Sequence, residues 1–322
     1  MSQGEPPASD PRIAVVIPTR RRETRLAFAL EALSKQSLDP SRFEVLVVRD
    51  GDAEPPFAEA PEELRVRFLE RPGVAGPTAK RNVGWRASSA PLVAFTDDDC
   101  RAHPSWLESL IAAANGADSF LQGRTDPDPD EAHLLHGFAR SQEIGGLSGW
   151  YETCNMAYPR ELLERLDGFD ESLPFGGEDT DLAYRAIEAG AGAEYVDGAL
   201  VWHAVMHRSP QRALREAASW SEMSAVVAKH PELRRSLYMG VFWRRSHAAL
   251  LLALAGLPLA RRHPAVAAAA ALPYLGLRVN WRAANARRLA RRLVTLPAWV
   301  AIDAVEVASR LPAAIRNRTF VI

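Results

Sequence analysis

Cysteine is nearly absent: the 322-residue chain has two, Cys100 and Cys154, too few for a disulfide framework and in no spacing that suits a thiolate metal site or a nucleophile. The opening "MSQGEPPASD" lacks the basic and apolar regions of a secretory signal, so residues 1–10 read as a disordered start and the cytoplasm as the expected compartment. No uncharged apolar run reaches the ~20 residues that a membrane-spanning helix needs. Acids all but vanish from the C-terminal part: residues 233–322 hold 2 Asp+Glu against 15 Lys+Arg, whereas residues 1–232 hold 38 against 24. The net charge of −1 therefore conceals an acidic body of about −14 and a basic tail of about +13, a division that points the tail toward an anionic surface. With 47% hydrophobic and 25% charged residues the chain is globular rather than disordered.

What is present is an alternation of buried runs and helical periods. "RIAVVIP" (12–18) and "FEVLVVRDGD" (43–52) read as strands buried on both faces, separated by a helix carrying Leu26, Leu30 and Leu33 at helical spacing. "VRFLERP" (66–72) is a weaker third strand, "GPTAKRNVGWRASS" (76–89) a helix and "PLVAFTD" (91–97) a fourth strand. This order predicts an α/β fold with a mostly parallel sheet whose ligands collect at the carboxyl ends of the strands. Three of those ends carry polar clusters, Thr19–Arg22, Asp50–Asp52 and Asp97–Asp99, expected to converge on one crevice. After a short helix in "HPSWLESLIAAANG", the Pro and Asp content of "GRTDPDPDEAH" (123–133) predicts loop. A second block follows, with Glu178, Asp179 and Asp181 at the start of a helix that Gly190 stops, and one or two strands over 193–210 that bring His203 and His207 to a strand end.

Asp97 and Asp99, at alternate positions beyond a buried strand, would face the same side of an extended backbone and could grip one divalent cation. Hard oxygen ligands of this kind suit Mg²⁺ or Mn²⁺, which bridge to substrate phosphates. A solvated turn is the alternative for these acids, as helix capping is for Glu178 and Asp179.

The series "AVVIPTRRR", "VLVVRDGD", "GPTAKRNVGWRAS", "FTDDDC" and "GFDESLPFGGEDTDLAYR" resembles the family 2 glycosyltransferases, whose nucleotide-sugar-binding fold is called GT-A. The resemblance covers roughly residues 12–210, five motifs in order. It departs from the family at Arg49, in place of the first of two acids, and at "TRRR", in place of T-Y-N. It implies a GT-A mixed sheet flanked by helices, and a metal-dependent, inverting transfer from a nucleotide-diphosphate sugar to a glycan or lipid-linked hydroxyl acceptor.

By the same resemblance Asp179 is the catalytic base and Glu178 orients it or holds an acceptor hydroxyl, while Asp99 is the principal ligand of Mn²⁺ or Mg²⁺, joined by Asp97 and His203, with His207 competing for the last role. Pro18, Thr19 and Asp50 would form the nucleobase pocket, and Asp97 and Asp98 reach the ribose. Arg81, with Lys80, would face the diphosphate or lie on a solvated helix face. Asn155 would line the donor-sugar site or serve a turn.

The organisation expected is a catalytic domain over 11–232, with a nucleotide-sugar half to 125 and an acceptor half from 126, and a helical, basic, apolar region over 233–322. Within the latter, 247–260, 264–279 and 293–311 are apolar segments with Trp243, Trp281 and Trp299 beside arginines, as in helices that lie at a membrane interface. Residues 240–322 are thus expected to meet an anionic membrane at its cytoplasmic face, a helical cap or dimer contact being the alternative. Their long apolar runs argue against nucleic acid. Two rival functions exist. A sugar-nucleotide pyrophosphorylase would carry a glycine-rich loop after the first strand, but "IPTRRRETRL" has no glycine, and a non-catalytic scaffold would have lost the acids at 99 or 179, which are present.

Overall fold

Every residue of Ile13–Pro18 (β1) is buried, and its side chains divide by parity: Ile13, Val15 and Ile17 enter one core cluster, Ala14 and Val16 the other. A strand so placed needs cover on both faces, and the chain supplies it. The computed structural model describes residues 11–51, 59–73, 76–114, 116–135, 137–173, 176–218, 223–279 and 285–322. The expectations for residues 1–10, Asp52 and Trp281 fall outside these.

The chain forms two compact units, Met1–Met206 and His207–Ile322. In the first, β1 is followed by helix α1 (Glu23–Ser34), β2 (Phe43–Asp50), β3 (Val66–Arg71), α2 (Pro77–Arg86), β4 (Leu92–Thr96), β5 (Cys100–Ala102), α3 (Trp106–Ala113), β6 (Ser119–Pro127), β7 (Asn155–Pro159), α4 (Arg160–Leu166), α5 (Glu178–Glu188) and β8 (Gly192–His203). The eight-stranded sheet has the order β3-β2-β1-β4-β7-β6-β8-β5. The pairs β1–β2, β2–β3, β1–β4 and β6–β8 are parallel, while β4–β7, β6–β7 and β5–β8 are antiparallel. The sheet is therefore mixed, as expected for GT-A.

Residues 123–133 correct the loop expectation. Gly123–Pro127 continue β6, pairing with β8 after a register shift between Gly123 and Thr125, and only 129–134 leave the sheet, as a short 3-10 turn. Long-range pairing with β8 overrides the local Pro and Asp signal, and the Asp128 side chain caps the turn by accepting from Asp130 N at 3.0 Å. The segment after β7 likewise yields a single strand, β8, ending at His203.

Helix α2 lies unusually close to the sheet. A Cβ on Gly84 would collide with Val16 and come within 3.2 Å of Val48. This absence of a side chain lets α2 deliver Lys80 and Arg81 to the strand ends.

In the second unit, α6 (Pro210–Glu216) and α7 (Met223–Lys229) pack against α10, so the division falls at 206/207 rather than at 232. The remaining helices are α8 (Arg245–Gly256), α9 (Pro264–Val279) and α10 (Ala286–Arg316). Among the described residues no helix is long and apolar enough to cross a membrane. The unit is held by a buried polar network. Asp303 of α10 accepts from Tyr274 Oη at 2.8 Å, Arg278 Nε at 2.9 Å and Ser246 Oγ at 3.2 Å, and His247 Nε2 donates to Glu306 Oε2 at 2.8 Å. One network thus joins α8, α9 and α10. It also consumes both acids of residues 233–322, leaving arginine as the only ionised side chain type on that surface. Two of the tryptophans stack on arginines, Trp299 under Arg278 at 4.5 Å and Trp243 under Arg310 at 5.7 Å.

Removing one partner of a buried pair strands the other. Asp303→Ala should therefore cost about 3 kcal/mol, read as a fall in the thermal unfolding midpoint, whereas substitution of the exposed Arg262 should leave the midpoint unchanged.

Candidate active site

The carboxyl ends of β1, β2 and β4 lie side by side, and each presents one polar group to the next. Thr19, just past β1, donates from Oγ1 to Asp98 Oδ2 at 2.7 Å. Lys80, buried on α2, donates to the Thr19 carbonyl and contacts Asp50 Oδ1, both at 2.9 Å, so one ammonium ties the ends of β1 and β2. Arg20 Nε reaches the other Asp50 oxygen at 3.2 Å. Pro18 closes β1 in the buried sheet opposite Val48.

The three acids after β4 do not continue an extended strand. Cys100 N donates to the Asp97 carbonyl at 3.1 Å, closing a turn, so the parity that would set Asp97 and Asp99 on one side does not apply. Asp97 instead accepts from Arg81 Nη2 at 2.9 Å. Asp98 is the buried member, held by Thr19 and by Arg22 Nη1 at 3.1 Å. Asp99 Oδ2 accepts from the same Arg22 nitrogen at 2.7 Å, while its Oδ1 faces His203 Nε2 at 3.8 Å.

Arg81 is the hinge of the arrangement. Buried on α2, it donates to Asp97 and, through Nη1, to Glu178 Oε1 at 2.8 Å, joining the β4 turn to the start of α5. Glu178 is positioned from its own side by Gly176 N, which donates to Oε2 at 2.9 Å. Gly176 and Gly177 have φ of 91° and 88°, a left-handed turn that side-chain-bearing residues seldom adopt. Asp179 accepts from Thr180 N at 2.8 Å and Thr153 N at 3.4 Å, and among the described residues it makes no ion pair. Burial, with the neighbouring Glu178 charge, raises its carboxyl to about 8 against the opposing pull of Arg81. Asp181 turns away to Arg185, at 2.8 Å.

Asn155 leaves the donor-site list. It is completely buried at the start of β7, with Oδ1 accepting from Trp106 Nε1 at 2.8 Å and Nδ2 donating to the carbonyls of Arg124 and Ala199 at 2.7 and 2.8 Å. Those bonds make it a core residue that pins β6, β8 and α3. Arg81 and Lys80 are not on a solvated face, and His207 belongs to the second unit.

Asp99 and His203 fit a divalent cation. His203 Nδ1 donates to the Ala204 carbonyl at 2.9 Å, which leaves Nε2 with its lone pair toward Asp99, the tautomer a ligand requires. Ligand atoms of Asp99, Cys100 and His203 lie within 4.8 Å of one another, and burial raises the Cys100 thiol well above its usual value; the hard donors of the group are one carboxylate oxygen and one imidazole nitrogen. Arg20 and Arg22, which the sequence places in the Thr19–Arg22 cluster without an individual role, each pair with acids of the site.

Residues 14–166 match the model of the glycosyl transferase family 2. This segment belongs to that family. Among curated relatives of the family 2 segment are the validoxylamine A glucosyltransferase of Streptomyces hygroscopicus subsp. limoneus, 27% identical over 54% of this chain and 48% of its own length, and the pre-mycofactocin glycosyltransferase of Mycobacterium tuberculosis, 30% identical over 68% and 48%. The chain spans about half the length of these relatives. The GT-A fold is shared with a mannosyltransferase from Pyrobaculum calidifontis solved in complex with GDP-Man and Mn²⁺ (TM-score 0.55, 19% identity, 94% of this chain and 87% of that one). It is shared also with S. aureus TarS 1–349 in complex with UDP-GlcNAc (TM-score 0.51, 16% identity, 96% and 92%).

Burial raises the Asp98 carboxyl to about 6, Arg22 opposing. An acid raised in the folded state contributes stability that is present below its ordinary value, near pH 4, and is lost as the pH climbs through about 6. Asp98→Asn, neutral at every pH, should therefore gain about 2–3 kcal/mol on the parent between pH 4 and pH 7, measured by urea unfolding at both.

Proposed function

We propose that the protein is a metal-dependent, inverting glycosyltransferase that moves a sugar from a nucleotide-diphosphate donor to a hydroxyl acceptor. The observation that carries this reading is the state of Asp179. It is the one acid of the Asp97–Asp99 and Glu178–Asp179 groups without a cationic partner among the described residues, and its raised carboxyl suits proton uptake near neutral pH. Family membership of 14–166 supports the same reaction class.

Asp179 takes the proton of the acceptor hydroxyl as its oxygen bonds to the anomeric carbon. The bond from that carbon to the diphosphate breaks on the opposite face, and the electron pair leaves with the diphosphate. Glu178, fixed by Arg81 and Gly176 N, orients the start of α5. Asp50 and Thr19 border the nucleoside position at the ends of β2 and β1, with Asp97 and Asp98 beside it. Asp99 and His203 would hold a Mn²⁺ or Mg²⁺ ion, which would supply charge neutralisation for the departing diphosphate. The Mn²⁺ bound to the Pyrobaculum mannosyltransferase agrees with such a requirement.

The acceptor is a lipid-linked or envelope glycan at the cytoplasmic face of the membrane. Support comes from the second unit, whose surface charge over 233–322 is arginine alone and whose helices expose Leu257, Leu272 and Val294 at 62%, 62% and 80%.

Two measurements test the proposal. With UDP-, GDP- and dTDP-sugars and Mn²⁺, kcat/KM should rise with pH through a midpoint near 8 as Asp179 ionises, and Asp179→Asn should lose at least about a hundredfold in kcat while retaining donor affinity. Silence with every donor, or an active Asp179→Asn, rejects the reaction. Separately, the full chain should sediment with vesicles containing anionic lipid but not with neutral ones, and Leu272→Asp should weaken that binding. A chain that ignores both vesicle types rejects the membrane surface.

A further inference from the structure

The arginines of "TRRR" are unexplained by the transfer reaction, yet the structure gives each a place. Arg21 has φ of 52°, a left-handed turn residue, and the chain on either side of it sends Arg20 to Asp50 and Arg22 to the β4 acids. Arg22 is the more consequential. One nitrogen contacts both Asp98 Oδ1 and Asp99 Oδ2, so a single guanidinium relieves the repulsion of two adjacent carboxylates. It also engages one of the two oxygens of the carboxylate whose other oxygen faces His203. A divalent ion would bring two charges to the same acids, and the two cations compete for them.

Arg22 is built to leave. Its side chain is 45% exposed, and it stands at the N-cap of α1 without a side-chain capping bond. The next acid along, Asp50, is matched by the buried Lys80, which has no comparable freedom at 3% exposure.

We propose that Arg22 is the resident counter-cation of Asp98 and Asp99, that it must withdraw before a divalent ion can bind, and that it turns on withdrawal to the diphosphate of the donor. Arg22 is thus a positioning residue that penalises metal without nucleotide and favours the two together. This rests on the assignment of Asp99 and His203 as the cation site.

The test is Mn²⁺ binding to the full chain, followed by the electron paramagnetic resonance of free Mn²⁺, alone and with UDP or GDP. Arg22→Gln should bind Mn²⁺ alone about fivefold more tightly than the parent, the scale of one partly exposed ion pair. Added nucleoside diphosphate should tighten Mn²⁺ binding more in the parent than in the variant. Arg22→Lys, which keeps the charge, should stay within about twofold of the parent. Unchanged or weaker Mn²⁺ binding by Arg22→Gln, or a Lys variant that behaves like the Gln one, overturns the counter-cation role while leaving the metal site intact. Absence of Mn²⁺ binding in all three proteins, with and without nucleotide, overturns the cation site and Arg22's role together.

Discussion

A buried guanidinium spanning Asp97 and Glu178 is the constraint on which the rest of the first unit's polar face depends. Arg81 sits on α2, while its two partners come from the turn after β4 and the first residue of α5, segments separated by 81 positions along the chain. Glu178 could not be buried without it, since the desolvation of an unpaired charge exceeds what local hydrogen bonds return, and the half-buried Asp97 is held by the same group. Arg81 reaches them because α2 rests on the sheet at Gly84, with no side chain between helix and strand. A backbone packing feature therefore fixes the separation between the Asp97–Asp99 turn and the Glu178–Asp179 pair.

Charge matching extends outward from that bridge. Asp50 is balanced by Lys80 and Arg20, and Asp98 and Asp99 share Arg22. Asp179 stands apart, bonded to two backbone amides, and its carboxyl rises accordingly. Equal residue types in neighbouring positions thus acquire different chemistry from the cations within reach. The second unit applies the same rule to a different end. The two acids of residues 233–322 are drawn into the interior among Ser246, His247, Tyr274 and Arg278, and arginine is left as the outer charge of that stretch.

Much of this was legible from the sequence because the parallel strands are short apolar runs and the acids follow them directly. β1, β2 and β4, the helix-start position of Glu178, and the strand-end position of His203 all arise from local pattern. What stayed hidden depends on partners distant in the chain. Asn155 looked like a ligand contact because the indole that claims it lies 49 positions earlier. Residues 123–127 looked like loop because the strand that pairs with them comes some 70 positions later. Arg81 looked equally at home in solvent, since the close approach at Gly84 is a property of two elements together. The triple Asp looked extended because nothing local announces the bond from Cys100 N to the Asp97 carbonyl.

Asp99 and His203 are about a hundred residues apart in sequence, yet they are next-door neighbours on two strands: Cys100 pairs with His203 in register, and Ala204 N donates to the Asp99 carbonyl at 2.9 Å. The intervening chain also braces this junction: the His203 carbonyl accepts from Asp128 N and from Ser141 Oγ, both at 2.9 Å. An exchanged loop between β6 and β7 therefore has to return both donors to the His203 carbonyl. The position of His203 against Asp99 is thus set by a ladder and a loop together, and the two have to vary in step.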